Sequence, residues 1–192
     1  MFALKKKYFL IVESTKDIDL RNIKKRNKFV VIYRNHKSVE EDLYTLIKFR
    51  KQCKLKSIDF YVANNLKLAV LLNSNGIYLS SFNKSFKPLS FKNKKLKIIG
   101  SAHNFKEIRI KIKQGCDYVL LSKLFQVSYD QKSPVLGVIK FNNYVYHFYK
   151  KLIPLGGIKL SNLNFLNNVN CEGFALFSEV KKKPTNIISR LF

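Results

Sequence analysis

The feature that most limits how this chain can fold is a series of short apolar runs spaced from one end to the other. YFLIV (8–12), FVVIY (29–33), IDFYV (58–62), GIYL (76–79), LKIIG (96–100), DYVLL (117–121), LIPLGG (152–157) and GFALF (173–177) are eight strand candidates. None alternates cleanly between apolar and polar residues. Near-continuous apolarity marks strands buried on both faces, as in parallel sheets covered by helices.

Between several runs the period changes to that of a helix. Ser38 and Glu41 have the S-x-x-E spacing of a capping box, ahead of Val39, Leu43, Leu46, Ile47 and Cys53 at helical intervals. Asn104 and Glu107 repeat that logic before Phe105, Ile108 and Ile112, and Gly115 supplies a C-terminal stop. Leu66 to Leu72 and Ser161 to Leu166 are further helical segments, and a last helical piece is expected near Tyr144 to Lys151. Residues 14–27 are too polar and short for an outer helix, and 82–95 reads as a loop around Pro88. Strands alternating with helices imply right-handed crossovers and a parallel sheet. Eight such strands in one domain favour closure into a compact (β/α)8 TIM barrel with some outer helices shortened or missing.

A chain of 192 residues fits this as a single domain, 1–192, because nothing resembling a linker or repeat divides it. No apolar run is long enough to span a bilayer. The opening MFALKKKYFLIVES lacks a small-residue cleavage site, so Tyr8 to Val12 reads as a first buried strand. Cys53, Cys116 and Cys171 are odd in number and share no metal-ligand spacing, which fits reduced thiols in a cytoplasmic protein. The formal charge of +25 raises the question of nucleic acid. The lysines are spread along the chain, however. Abundant Lys, Asn, Ile, Phe and Tyr with scarce Gly and Ala is what an AT-rich genome encodes. No specific nucleic acid and no membrane partner is expected, and the positive field serves small phosphorylated ligands equally well.

Taken in order, VVIYRNHKS, FYVANNLKLAVLLNSNGIYLSS, IIGSAHNFKE, GCDYVLLSKLF, LGGIKLSNL and EGFALFSEV resemble the successive strand ends of the thiamine phosphate synthase/TenI family. The resemblance runs from about Tyr8 to Val180. It implies a transferase that joins hydroxymethylpyrimidine pyrophosphate to thiazole phosphate with Mg2+ assistance. The alternatives are a TenI-type tautomerase that moves a proton on thiazole phosphate, and a non-catalytic member that binds a phosphorylated ligand.

The same resemblance implies roles for particular residues. Arg34 falls where the family presents an arginine to pyrophosphate; His36 stands at the usual lysine and Lys37 follows it. Asn64 and Asn83 stand at two Mg2+-binding aspartates, and asparagine keeps an oxygen but loses the charge that favours Mg2+. Asn64 also has a structural reading, as the cap of the helix that follows. Ser101 corresponds to a serine beside the pyrimidine, and His103 to the proton-transfer group of TenI relatives. In the loop after the sixth strand Asp130 occupies the position of a pyrophosphate-binding lysine, with Lys132 or Lys123 as replacements. Gly156, Gly157, Phe177 and Ser178 match positions whose backbone amides receive phosphate.

Overall fold

The computed structural model describes residues 7–23, 26–35, 41–94, 96–127, 130, 132–148 and 151–182. Eight parallel strands form in chain order, each overlapping one of the apolar runs. They are β1 (Lys7–Val12), β2 (Phe29–Tyr33), β3 (Asp59–Ala63), β4 (Gly76–Leu79), β5 (Lys97–Ala102), β6 (Tyr118–Ser122), β7 (Leu152–Leu155) and β8 (Gly173–Leu176). Each pairs with the next, and β8 returns to β1 through Lys7↔Gly173 to Leu10↔Leu176, which closes the expected (β/α)8 barrel.

Closure explains why the runs do not alternate. Phe9, Ile11, Val30, Ile32, Tyr61, Tyr78, Ile99, Leu120, Ile153 and Ala175 form the cluster inside the barrel. Their strand neighbours, such as Leu10, Val31, Phe60, Ile77 and Ile98, belong to a second cluster under the outer elements. Each fully buried Leu, Ile, Val or Phe side chain contributes about 1.5–3 kcal/mol, so both faces of every strand help to hold the wall.

The outer layer is thin, as expected. It holds α1 (Leu43–Leu55), α2 (Leu66–Leu71), α3 (Phe105–Lys113), α4 (Gly137–Phe148) and α5 (Ser178–Lys182). In place of a first outer helix the chain makes 3-10 turns at Thr15–Asp17, Leu20–Asn22 and Arg26–Lys28. The Asn104 side chain accepts from the Glu107 amide and caps α3 as its spacing predicts, and Gly115 follows the helix at φ +75.

Other boundaries differ. Ser38 and Val39 lie outside the described residues, and α1 is capped by Asp42, whose carboxylate accepts from the Thr45 amide at 2.8 Å and its hydroxyl at 2.6 Å. Those bonds hold the Asp42 carboxyl below the usual range. Glu41 turns instead to Ser14 and Thr15, accepting from the Ser14 hydroxyl at 2.6 Å. The segment expected near 144–151 begins earlier, at Gly137, because Phe141, Val145 and Phe148 share one buried face. Residues 161–166 belong to a 3-10 helix over Leu160–Asn168, and the expected loop around Pro88 contains another at Lys87–Lys94.

Candidate functional site

Successive residues of a strand point to opposite sides, so each inward position of the wall continues, two residues on, into a residue at the barrel mouth. Ile11 leads to Glu13, Ile32 to Arg34, Ile99 to Ser101 and His103, Leu120 to Ser122, Ile153 to Leu155 and Gly157, and Ala175 to Phe177. All of these mouth residues line one cavity of about 280 Å³ at the C-terminal ends of the strands, with Tyr78 and Ser81 from the β4 side. Gly156, Lys159, Ser178 and Glu179 complete much of its rim.

Arg34 enters directly after β2, where its amide donates to the Val12 carbonyl at 2.8 Å. Its Nε is buried with no hydrogen-bond partner among the described residues, and its guanidinium carbon lies 6.0 Å from the centre of the Tyr78 ring. The Tyr78 hydroxyl is also buried without a hydrogen-bond partner among the described residues. Burial pushes the Tyr78 phenol up, while the neighbouring Ser101 hydroxyl and the Arg34 charge pull against that shift. A guanidinium with an unpartnered N–H in a walled cavity is a ready partner for an oxyanion, which it can grip with two parallel N–H donors.

Across the mouth the chain turns at Gly156 and Gly157, with φ of +91 and +70. A side chain at Gly157 would run into the Phe125 carbonyl and lie 2.6 Å from the Gln126 oxygen, so the β6 and β7 loops approach backbone to backbone here. The Gly157 N–H has no acceptor among the described residues. Ser178 opens α5, where the first amides have no intrahelical partner.

His103 is fixed by Glu107, whose carboxylate accepts from the His103 amide at 2.8 Å and meets ring Nδ1 at 3.1 Å. Partial burial works to raise the Glu107 carboxyl, but the His103 amide and ring and the Asn104 amide together hold it below its usual range. The imidazole is therefore oriented through Nδ1.

Asn64 and Asn83 are brought together, but away from the cavity lining. Asn64, at φ +58, directs Oδ1 at three donors, each 3.0 Å away: the Ser80 amide, the Ser80 hydroxyl and Asn83 Nδ2. Asn83 Oδ1 accepts from the Ser85 amide at 2.9 Å. The Asn64 oxygen ties the β3 and β4 ends together, the Asn83 oxygen is spent within its own loop, and neither carries charge. This pair does not fit Mg2+, and among the described residues no group of three or more His, Cys, Asp or Glu side chains is arranged to hold a metal. The α2 cap is Asn65 rather than Asn64, accepting from the Leu68 amide at 2.9 Å.

Lys37 lies outside the described residues. Lys132 is exposed and is not among the cavity-lining residues. Lys123, its alternative, is engaged with Asp130 at 2.6 Å, and the two Ser133 donors also bond that carboxylate. The reading by family position passed over Glu13, Tyr78, Ser81, Ser122, Lys159 and Glu179. Strand parity was a usable signal for Glu13 and Ser122, each two residues beyond an inward side chain.

A closed parallel barrel with a polar cavity at the C-terminal ends of its strands defines a (β/α)8 protein of the architecture whose active sites lie at that face. The chain belongs to the thiamine monophosphate synthase family, whose sequence profile matches residues 16–180. It is 27% identical over 142 residues to a thiamine-phosphate synthase of Prochlorococcus marinus, matching 73% of this chain and 40% of that protein. To the thiamine-phosphate synthase of Lawsonia intracellularis it is 26% identical over 178 residues, which cover 91% of this chain and 78% of the other. This chain thus spans about two fifths of the length of the Prochlorococcus relative. A thiamine phosphate pyrophosphorylase from Pyrococcus furiosus has the same fold, with a TM-score of 0.74 over 98% of each chain at 15% identity. Among the described residues no helix is long and apolar enough to cross a membrane.

Proposed function

We propose that this chain joins hydroxymethylpyrimidine pyrophosphate to thiazole phosphate, giving thiamine phosphate and pyrophosphate. In that reaction the thiazole nitrogen attacks the pyrimidine methylene carbon as its bond to the pyrophosphate oxygen breaks. The observation that carries the reading is half-buried Arg34, its Nε enclosed without a hydrogen-bond partner among the described residues, lining one cavity with Gly157 and Ser178. Arg34 takes the growing charge of the departing pyrophosphate, a transition-state interaction rather than a uniform one. Gly156, Gly157, Phe177 and Ser178 receive the thiazole phosphate on backbone amides, and Ser101 lies beside the pyrimidine. Lys37 and Lys132 are reserve cations for the pyrophosphate from the flanking loops.

No step is assigned to Mg2+ through Asn64 and Asn83, whose oxygens are already spent on neighbouring donors. The Glu107-oriented imidazole of His103 favours a second reading, a tautomerase that exchanges a proton on thiazole phosphate. One experiment separates the two. The purified chain is incubated with both precursors, with and without Mg2+, and with the thiazole tautomer alone. Thiamine phosphate released together with pyrophosphate supports the transferase. Conversion of the tautomer alone, abolished by His103→Ala and indifferent to EDTA, replaces it with the second reading.

A further inference from the structure

Lys111 does not behave as its place in a basic, amphipathic helix suggests. It is fully buried, and its stem is packed so closely on the outer face of β5 that a side chain at Gly100 would lie 2.8 Å from its Cδ. Its ammonium donates to the Ser80 carbonyl at 2.7 Å, the Asn83 carbonyl at 2.7 Å and Gln114 Oε1 at 3.0 Å. All three protons are used on neutral oxygens, and no carboxylate among the described residues bonds the charge. Burial lowers its pKa, opposed by the fields of Cys116 and Glu107. Burying an ammonium without a counter-charge is costly. Gln114 already holds the same loop with neutral donors, through the Asn83 carbonyl at 3.1 Å and the Ser85 carbonyl at 2.7 Å. A scaffold alone does not call for the charge.

The direction of the charge supplies a use for it. Ser80 and Ser81 share a trans peptide, so the Ser81 N–H points opposite to the carbonyl that Lys111 grips. Lys111 sits outside the wall, which sends that N–H toward the barrel mouth, where Ser81 lines the cavity. The Ser81 N–H has no acceptor among the described residues. A cation on the carbonyl oxygen withdraws electron density from the amide and strengthens its N–H as a donor. We propose that Lys111 is a positioning residue that charges the Ser80–Ser81 peptide, making the Ser81 N–H an oxyanion donor opposite Arg34 in the cavity. The ligand is a phosphate-type anion, and the proposal rests on the phosphorylated-substrate reading of that cavity.

The balance of charge on the lining makes such a donor useful. Arg34 and Lys159 face Glu13 and Glu179 on the same surface, so these four side chains give no net positive charge. A cation behind the wall attracts an anion without itself needing to be desolvated on binding.

The test is pyrophosphate binding to the full chain in EDTA, followed by amide NMR and by titration calorimetry. The Ser81 amide resonance of the unmodified protein is expected to move downfield on saturation with pyrophosphate; a Ser81 signal that stays in place overturns the proposal. Lys111→Met keeps the stem volume, and both carbonyls keep a second donor, the Asn83 amide on Ser80 at 3.0 Å and Gln114 Nε2 on Asn83 at 3.1 Å. Its pyrophosphate affinity is expected to fall about tenfold. Gln114→Met strips hydrogen bonds from the same loop but leaves the ammonium, and it is expected to bind nearly as tightly as the parent. Equal losses in the two variants would show Lys111 to be loop scaffolding and overturn the proposal. Synthase turnover is read in parallel. Turnover with no Ser81 response sinks this inference and leaves the proposed function standing; a Ser81 response without turnover does the reverse.

Discussion

Two glycines with nearly the same backbone angle should respond very differently to one added methyl group. Gly137 has φ +67 and nothing within 4 Å of where a Cβ would lie, whereas Gly157 at φ +70 would meet the Phe125 carbonyl and, at 2.6 Å, the Gln126 oxygen. An L-residue in the left-handed region costs roughly 1–2 kcal/mol at either place. At Gly157 the obstacle is backbone, which cannot rotate aside, so overpacking adds about 1–3 kcal/mol. For a domain of this size 1 kcal/mol moves Tm by about 2–4 °C. Gly137→Ala is therefore expected to melt about 2–8 °C below the parent, and Gly157→Ala about 4–20 °C below it, at the high end if the β6 and β7 loops cannot separate. Gly157→Ala should also lose affinity for inorganic phosphate, because the Gly157 N–H is moved, while Gly137→Ala keeps it. Differential scanning calorimetry and phosphate titration of both variants measure this. Equal losses in Tm, with phosphate binding intact in both, would refute the close loop approach and the phosphate position together.

Three further outcomes are expected. Arg34→Ala should lower pyrophosphate affinity by about 10–100-fold, the range of a charged hydrogen bond, and Arg34→Lys should recover only part of it, by calorimetry. The Lys123 ammonium and then the Ser133 hydroxyl hold the Asp130 carboxyl down to about 2, below its usual 3.8. A depressed carboxylate stabilises the fold above its unfolded pKa and ceases to as pH falls through the folded one. The Tm gap between parent and Asp130→Asn should be full above roughly pH 4 and closed near pH 2. Asn64→Asp with Asn83→Asp would set two carboxylates where Asn83 Nδ2 now meets Asn64 Oδ1 at 3.0 Å. That double variant should melt lower than the parent in EDTA and regain Tm with Mg2+; a Tm indifferent to Mg2+ would contradict the reading of this pair.

The strands were legible because two-sided burial is written locally, in runs such as FVVIY, which becomes β2 without a residue's shift. Local chemistry also revealed the α3 cap, since Asn104 and Glu107 are three residues apart and bond each other. Where the partner is distant, the sequence misleads. Glu41 looked like half of a capping box, yet its carboxylate bonds Ser14 and Thr15, some 26 residues earlier. Asn64 looked like a helix cap or metal ligand, but its three donors come from Ser80 and Asn83. Lys140, Asn142 and Asn143 hid the apolar face of α4, whose spacing is carried by Phe141, Val145 and Phe148. Lys111 stands three residues after Ile108 on the inner face of α3, and nothing local marks it as the buried one among so many lysines.

The proposed reaction depends above all on one cavity at the barrel mouth holding both phosphorylated partners. A crystal structure of the chain with thiazole phosphate and pyrophosphate bound tests it directly. The thiazole phosphate is expected on the amides of Gly157 and Ser178, and the pyrophosphate within hydrogen-bonding distance of the Arg34 guanidinium and the Ser81 N–H. Either ligand bound outside this cavity, or pyrophosphate bound with Arg34 turned away, would contradict it.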